Sequence, residues 1–347
     1  MKRNIAIVIA ALCMLMMGAC FSPWEGSGEG TIVINLGEGG ARLAADGSNV
    51  SEYAIILTDS DGTTIPQKKI TGGKTKLLVK PGHWNIAVNQ YMAYGDKKNV
   101  LKQFGEKDVE VKAGATVDAL IKLRNLDWSD LGKVIEKAGE NESVMLTEDL
   151  EVKSYIQIPK GKNITFLAQV PVIIKKANDG NFDNSMFRVP SNSSLTLGVE
   201  GGMLGTITFN GNKGAYLTKS SSSLIYVGDQ RIINDKHTRE GNGGTLTIYD
   251  GVTLTNNYAQ APLNDRGGAV VVDNGIFRMY GGIISGNTNT DKGGGVRVLS
   301  GTFTKTGGTI YGSDDGDNSN TATSGYAVYY DKSKKPIDKT LGPKDNL

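Results

Sequence analysis

Two segments spaced 26 residues apart carry the most suggestive chemistry in the chain, Asp265-Arg266-Gly267-Gly268 and Asp291-Lys292-Gly293-Gly294. Equivalent positions of a repeat stack on neighbouring strands, which predicts Asp265 and Asp291 about 5 Å apart. Two carboxyl groups at roughly that separation suit hydrolysis of a glycosidic bond through a covalent intermediate, and wider pairs suit activation of water. Several carboxylates around calcium, with Arg266 or a lysine as base, would instead suit an elimination. A plainer origin is duplication of one turn, which copies an acid and its basic neighbour together and leaves local ion pairs. The sequence favours that plainer origin.

Other chemical signatures are weak. Asp314-Asp315-Gly316-Asp317-Asn318 is an acidic run, but it lacks the calcium-loop pattern and the closing glutamate, and reads as a solvated insertion. His83 and His237 are far apart in sequence, with no second histidine near either. There is no Gly-Lys-Ser/Thr phosphate loop, Cys/His cluster or serine nucleophile elbow. No metal or cofactor is predicted, and calcium enters only with the elimination chemistry. The binding candidates are outward positions of the repeat: Tyr249, Tyr280, Arg278 and Arg297.

The element that must position these residues is a repeat. Gly267-Gly268-Ala269-Val270 returns as Gly293-Gly294-Gly295-Val296, Gly275-Ile276-Phe277 as Gly301-Thr302-Phe303, and Gly281-Gly282-Ile283-Ile284 as Gly307-Gly308-Thr309-Ile310, each at offset 26. Leu246–Gly251 matches Phe277–Gly282 at offset 31, and weaker copies include Leu224–Val227, Met186–Val189 and Leu195–Leu197. Three short apolar runs and three turns per period describe one coil of a right-handed parallel β-helix over residues 141–330. The register sends Val270/Val296, Val272/Val298, Leu246/Phe277/Phe303 and Ile248/Met279 inward. It sends Val271/Arg297, Thr247/Arg278/Thr304 and Tyr249/Tyr280 outward. Lys305 falls at an inward position, where an unpaired ammonium is costly, and is expected to escape through the C-terminal end. Phe209–Asn212, Leu254–Asn257 and Ile284–Asn287 share apolar-x-x-Asn, which predicts asparagines stacked at one turn. Glycine makes up 46 of 347 residues, about 13% against a usual ~7%, and 17 of them lie in 241–312, in phase with the repeat.

Upstream, Trp128, Leu131, Ile135 and Ala138 form an apolar stripe at helical spacing, with Asp127 as N-cap and Gly139 as stop. A helix over residues 126–140 predicts a cap on the repeat. Residues 31–125 alternate short apolar runs with Asp-Gly and Gly-Gly turns, the pattern of a small β-sandwich. In Lys80-Pro81-Gly82-His83-Trp84, the Pro-Gly turn precedes Trp84, Ile86 and Val88 on one face, and His83 is expected at the surface.

The N-terminus reads as an address. Lys2 and Arg3 precede an apolar run from Ile5 to Met17, too short for a bilayer span but suited to a signal peptide over residues 1–19. It ends in Met17-Gly18-Ala19-Cys20. The small residues before Cys20 resemble the bacterial lipoprotein signal, which implies diacylation of Cys20, membrane attachment and a tether over 20–30. Without the leader the chain carries 36 basic and 36 acidic residues, which excludes the basic excess of a nucleic-acid binder.

Three further resemblances follow. The Pro-Gly-Trp84 hairpin resembles transthyretin-like and carboxypeptidase-regulatory-like sandwiches. The Gly-Gly-Ala-Val and apolar-x-x-Asn motifs resemble those of polymorphic outer-membrane, adhesin-like β-helices. Over residues 126–330 the whole resembles the glycine-rich β-helix surface lipoproteins of spirochaetes and Bacteroidetes. These resemblances imply an all-β chain and a monomeric, non-catalytic lipoprotein of the outer membrane that binds a glycan or a host or surface protein. The alternative is a polysaccharide lyase or glycoside hydrolase working on a groove of the β-helix. The tail, residues 331–347, lacks the amphipathic strands of membrane-embedded relatives, so attachment falls to the lipid.

Overall fold

The computed structural model describes residues 28–36, 52–71, 73–178, 180, 182, 184–217, 222–229, 231–233, 236–238, 243–260, 267–331 and 337–340. The leader, Cys20, most of the tether, Asp265 and Arg266 lie outside these, as does the His237 side chain. The fold is all-β, with 53% strand and two α-helices among the described residues. It divides into two compact units, residues 1–90 with 104–124, and residues 91–103 with 125–347.

The first unit begins with β1 (Gly30–Asn35), so Gly30 belongs to a strand rather than the tether. There follow β2 (Glu52–Asp59), β3 (Thr64–Ile70), β4 (Lys74–Val79), β5 (Gly82–Tyr94), β6 (Lys97–Val111) and β7 (Thr116–Leu120), of which the end of β5 and the start of β6, residues 91–103, belong to the second unit. β1 pairs antiparallel with β4 and parallel with β7, while β2 pairs antiparallel with β3. Alternate residues of β1, β2 and β5 meet in one buried cluster: Ile32 and Ile34, Ile55 and Leu57, then Trp84, Ile86 and Val88. The Pro-Gly turn is closed by the Trp84 indole N–H, which donates to the Lys80 carbonyl at 2.9 Å. His83 is exposed, as expected.

In the second unit, α1 (Trp128–Lys137) starts with a capping box. The Asp127 carboxylate accepts from the Asp130 N–H, and the Asp130 carboxylate accepts from the Asp127 N–H. Its stripe packs on the first repeat. Trp128 meets Phe187 edge-on at 5.3 Å, and its indole N–H donates to the Ser154 carbonyl. The helix ends at Lys137, with Ala138 (φ −54°, ψ 152°) as its C-cap directly before Gly139.

The strands after α1 form three parallel ladders whose register follows the sequence offsets. In the first, Phe187, Ile225, Val270, Val296 and Val328 align. In the second, Val144, Phe166, Leu197 and Ile248 lead on to Met279 and Lys305. The third runs from Leu150–Val152 through Val172–Lys176, Ile207–Asn210, Val252–Thr255 and Ile283–Ser285 to Thr309–Ile310. Every residue expected inward is buried: Val270, Val272, Val296, Val298, Leu246, Phe277, Phe303, Ile248 and Met279 are at most 1% exposed. Phe277 and Phe303 stack at 4.8 Å. Gly301, at φ +95°, sits against the Gly275 backbone, where a side chain has neither the conformation nor the space.

Three expectations are corrected. Lys305 stays at 7% exposure instead of emerging. Val271 and Arg297 keep the register positions assigned outward, but they are buried. The register steps from Val272↔Val298 to Asp273↔Ser300, which makes Leu299 an extra, bulged residue. Leu299 packs against Tyr226 and Val271 and roofs that column. Asn212 does not join the asparagine stack. It adopts φ +55°, and its amide donates to the carbonyls of Lys176 and Ala177.

The stack itself is Asn257, Asn287 and Asn320, each fully buried. The Asn257 N–H donates to Asn287 Oδ1 at 3.1 Å, and the Asn287 N–H donates to Asn320 Oδ1 at 3.0 Å. Upstream, the buried Lys176 Nζ donates to Asn257 Oδ1 at 3.1 Å and lies 5.7 Å from the ring centroids of both Phe182 and Tyr216. Amide oxygens and ring faces thus solvate an ammonium that water cannot reach.

Candidate functional site

The most regular solvent-facing surface is the outer side of the second ladder. Side chains alternate along each strand, so residues i and i+2 stand about 6.6 Å apart, and strands lie about 4.8 Å apart. The pairing aligns two outward columns. One is Asn141, Asn163, Ser194, Thr245, Ile276 and Thr302. The other is Ser143, Thr165, Thr196, Thr247, Arg278 and Thr304. All of these are half-buried or exposed, while their strand neighbours fill the core.

The polar groups here differ from those inside. The asparagines of the core ladder are bonded to backbone and to one another. On the outer face, Thr165, Thr196, Thr245, Thr247, Thr302 and Thr304 have side-chain hydroxyls with no partner among the described residues. Only the first column's N-terminal end is self-bonded, Asn163 Nδ2 to Asn141 Oδ1 and the Ser194 hydroxyl to Asn163 Oδ1. A row of free hydroxyls on a flat lattice is a surface that hydrogen-bonds an extended ligand.

Two residues beyond Thr247 and Arg278, just past the ends of their strands Thr245–Ile248 and Val270–Met279, stand Tyr249 and Tyr280. Their rings stack at 5.3 Å with 23° between planes, as the outward register predicted. Tyr280 is 43% exposed. Burial pushes the Tyr249 phenol above its ordinary pKa, and the nearby Glu200 and Tyr280 push it further in the same direction. The phenol therefore remains a neutral hydrogen-bond donor through the physiological range. Arg278 also has no hydrogen-bond or ion-pair partner among the described residues.

The remaining predicted residues separate from this surface. Arg297 is 4% exposed, and its Nη1 lies 3.2 Å from Asp291 Oδ2, so its charge is spent inside the structure. The same contact occupies the Asp291 carboxylate that an acid pair with Asp265 would use. Lys292 Nζ lies over the Tyr329 ring at 5.0 Å. The acidic run at 314–318 is exposed, with Asp315 Oδ2 accepting from the Gly312 N–H. Among the described residues no cluster of three His, Cys, Asp or Glu is placed to hold a metal ion. None of their helices is long and apolar enough to cross a membrane.

Sequence reasoning missed two features. A cleft of about 810 Å³ lies between α1 and the first repeat, lined by Trp128, Glu136, Glu148, Glu151 and Tyr155 among others. Several of its polar groups serve the seam: Glu148 accepts from Asn125, and Asp149 accepts from the Ile173 N–H. The second is the free threonine face, whose signal was the alternation Thr245-x-Thr247, Thr302-x-Thr304 and Ser194-x-Thr196 in register with the repeat. No family model, curated protein or solved structure matches the chain.

Proposed function

We propose that this chain is an exported, non-catalytic lipoprotein, held at the outer membrane through acylated Cys20, that binds an extended glycan along a β-helix face. Parallel pairing at the repeat's own offset and an internal asparagine ladder support a right-handed parallel β-helix capped by α1. The shared core of β1, β2 and β5 supports a β-sandwich in the first unit. One observation carries the binding reading: threonine hydroxyls of two outward columns without partners among the described residues, flanked by a stacked tyrosine pair. Thr and Tyr hydroxyls donate and accept, as sugar hydroxyls require, and a tyrosine ring covers the apolar face of a sugar.

The test is a glycan microarray probed with wild type and with a Thr196→Lys/Thr247→Lys variant. Binding to at least one class of polysaccharide, lost in the variant while its fold is retained, is the expected result. A wild type that binds nothing, or a variant that binds unchanged, refutes the reading. The anchor is tested separately: Cys20→Ser should move the protein from the detergent phase to the aqueous phase in Triton X-114 partitioning.

A further inference from the structure

We infer that the face selects an anionic glycan, and that Arg278 is the seat of its carboxylate or sulfate group; the inference rests on the glycan reading above. From Asn141 and Ser143 to Thr302 and Thr304, Arg278 is the one charged residue in the two aligned columns, and the next strand, Ile337–Thr340, sets Asp338 in register beside Thr302 and Thr340 beside Thr304. Arg278 is half-buried, and no described residue bonds its guanidinium. The other cation expected on an outward column, Arg297, is paired with Asp291 and buried. The fold therefore neutralises one arginine and leaves the other open on the same pair of strands.

The surroundings of Arg278 match an oxyanion. The register sets Thr247 on one side of it and Thr304 on the other, each about 4.8 Å away along the ladder. Both hydroxyls are unbonded among the described residues, so two neutral donors flank a planar charged fork. A guanidinium binds a carboxylate or sulfate through two parallel N–H···O bonds, and flanking hydroxyls take the remaining lone pairs. Tyr280 follows Arg278 by two residues, just past the strand's end at Met279, and is 43% exposed, within reach of the sugar that bears the acid.

Lipid-anchored full-length protein in detergent is tested by biolayer interferometry against unmodified dextran, carboxymethyl-dextran and dextran sulfate. These share one backbone and differ in charge. The expected result is binding of at least one anionic dextran, about tenfold weaker in Arg278→Gln and partly restored in Arg278→Lys, which keeps the charge without the fork. Lys175→Gln, on the third ladder, should leave binding within twofold. Comparing the two anionic dextrans separates a carboxylate from a sulfate preference. Equal binding of all three dextrans, unaffected by Arg278→Gln, overturns the anion seat and leaves the glycan face standing. Equal weakening by Lys175→Gln and Arg278→Gln overturns it as non-specific charge attraction. No binding to any of the three overturns the anion seat; the wild-type microarray decides separately whether the glycan face fails with it. Thermal melts of each variant confirm that folding is unchanged.

Discussion

Asn287→Ala should be among the most damaging single changes in the repeat, and its cost can be worked from the bonds it removes. The Asn287 side chain is fully buried. Its Oδ1 accepts from the Asn257 N–H at 3.1 Å, and its Nδ2 donates to the Leu254 carbonyl at 3.0 Å and the Ser285 carbonyl at 2.9 Å. Alanine takes these partners from the Asn257 N–H and from the Leu254 and Ser285 carbonyls in a space closed to water. Asn320 Oδ1 keeps its bond from the Asn287 N–H and loses the one from Asn287 Nδ2. The orphaned Asn257 N–H alone costs about 1–3 kcal/mol, a large share of the ~5–15 kcal/mol that holds a domain together. The matched control is Asn163→Ala, also in an asparagine ladder but on the exposed face, where the expected change is about 0.5 kcal/mol. Equilibrium urea unfolding followed by circular dichroism measures both. A loss below 1 kcal/mol for Asn287→Ala, or equal losses for the two, would refute the claim that the inner ladder is a buried network.

Other consequences follow from the same geometry. Lys176→Met removes a cation that Asn257 Oδ1, the Ser222 carbonyl and two rings solvate, and should lower stability by about 2–4 kcal/mol in the same urea assay. Gly268→Ala puts a methyl group into the Gly294 carbonyl of the next strand, and should yield little soluble protein in an expression test, whereas Gly214→Ala, open to solvent, should express normally. The raised Tyr249 pKa favours the neutral phenol in the folded state, so its contribution is full below about pH 10 and is lost as pH rises through the folded value. Tyr249→Phe should therefore flatten the alkaline fall of the melting temperature.

The repeat was legible because its inward positions are physically strict. A 26-residue offset linking Val270 to Val296 and Phe277 to Phe303 leaves few ways to bury both sets, and the pairing follows that offset. Trp84, Ile86 and Val88 were legible by the same alternation. What failed was what alternation does not encode. An outward register position says nothing of what packs over it, so the bulge at Leu299, which packs on Val271, and the Asp291 partner of Arg297 were invisible. Asn212 shares the motif of Asn257 but meets a different turn, with Lys176 aligned beside Gly211. Asn320 joined the ladder from the far side of an insertion that breaks the period. Lys176 read as one more lysine in an alternating strand, because the acceptors that solvate it come from Ser222 and Asn257, far along the chain.

The central claim concerns which face meets the ligand, and threonine-methyl NMR addresses it directly because the face is made of threonines. Spectra of the methyl-labelled protein are recorded while dextran sulfate or carboxymethyl-dextran is added. Shifts are expected at Thr196, Thr247 and Thr304 on the second ladder, with Thr208 and Thr253 on the outer side of the third ladder unmoved. Shifts at Thr208 and Thr253 with the second ladder silent would contradict the account.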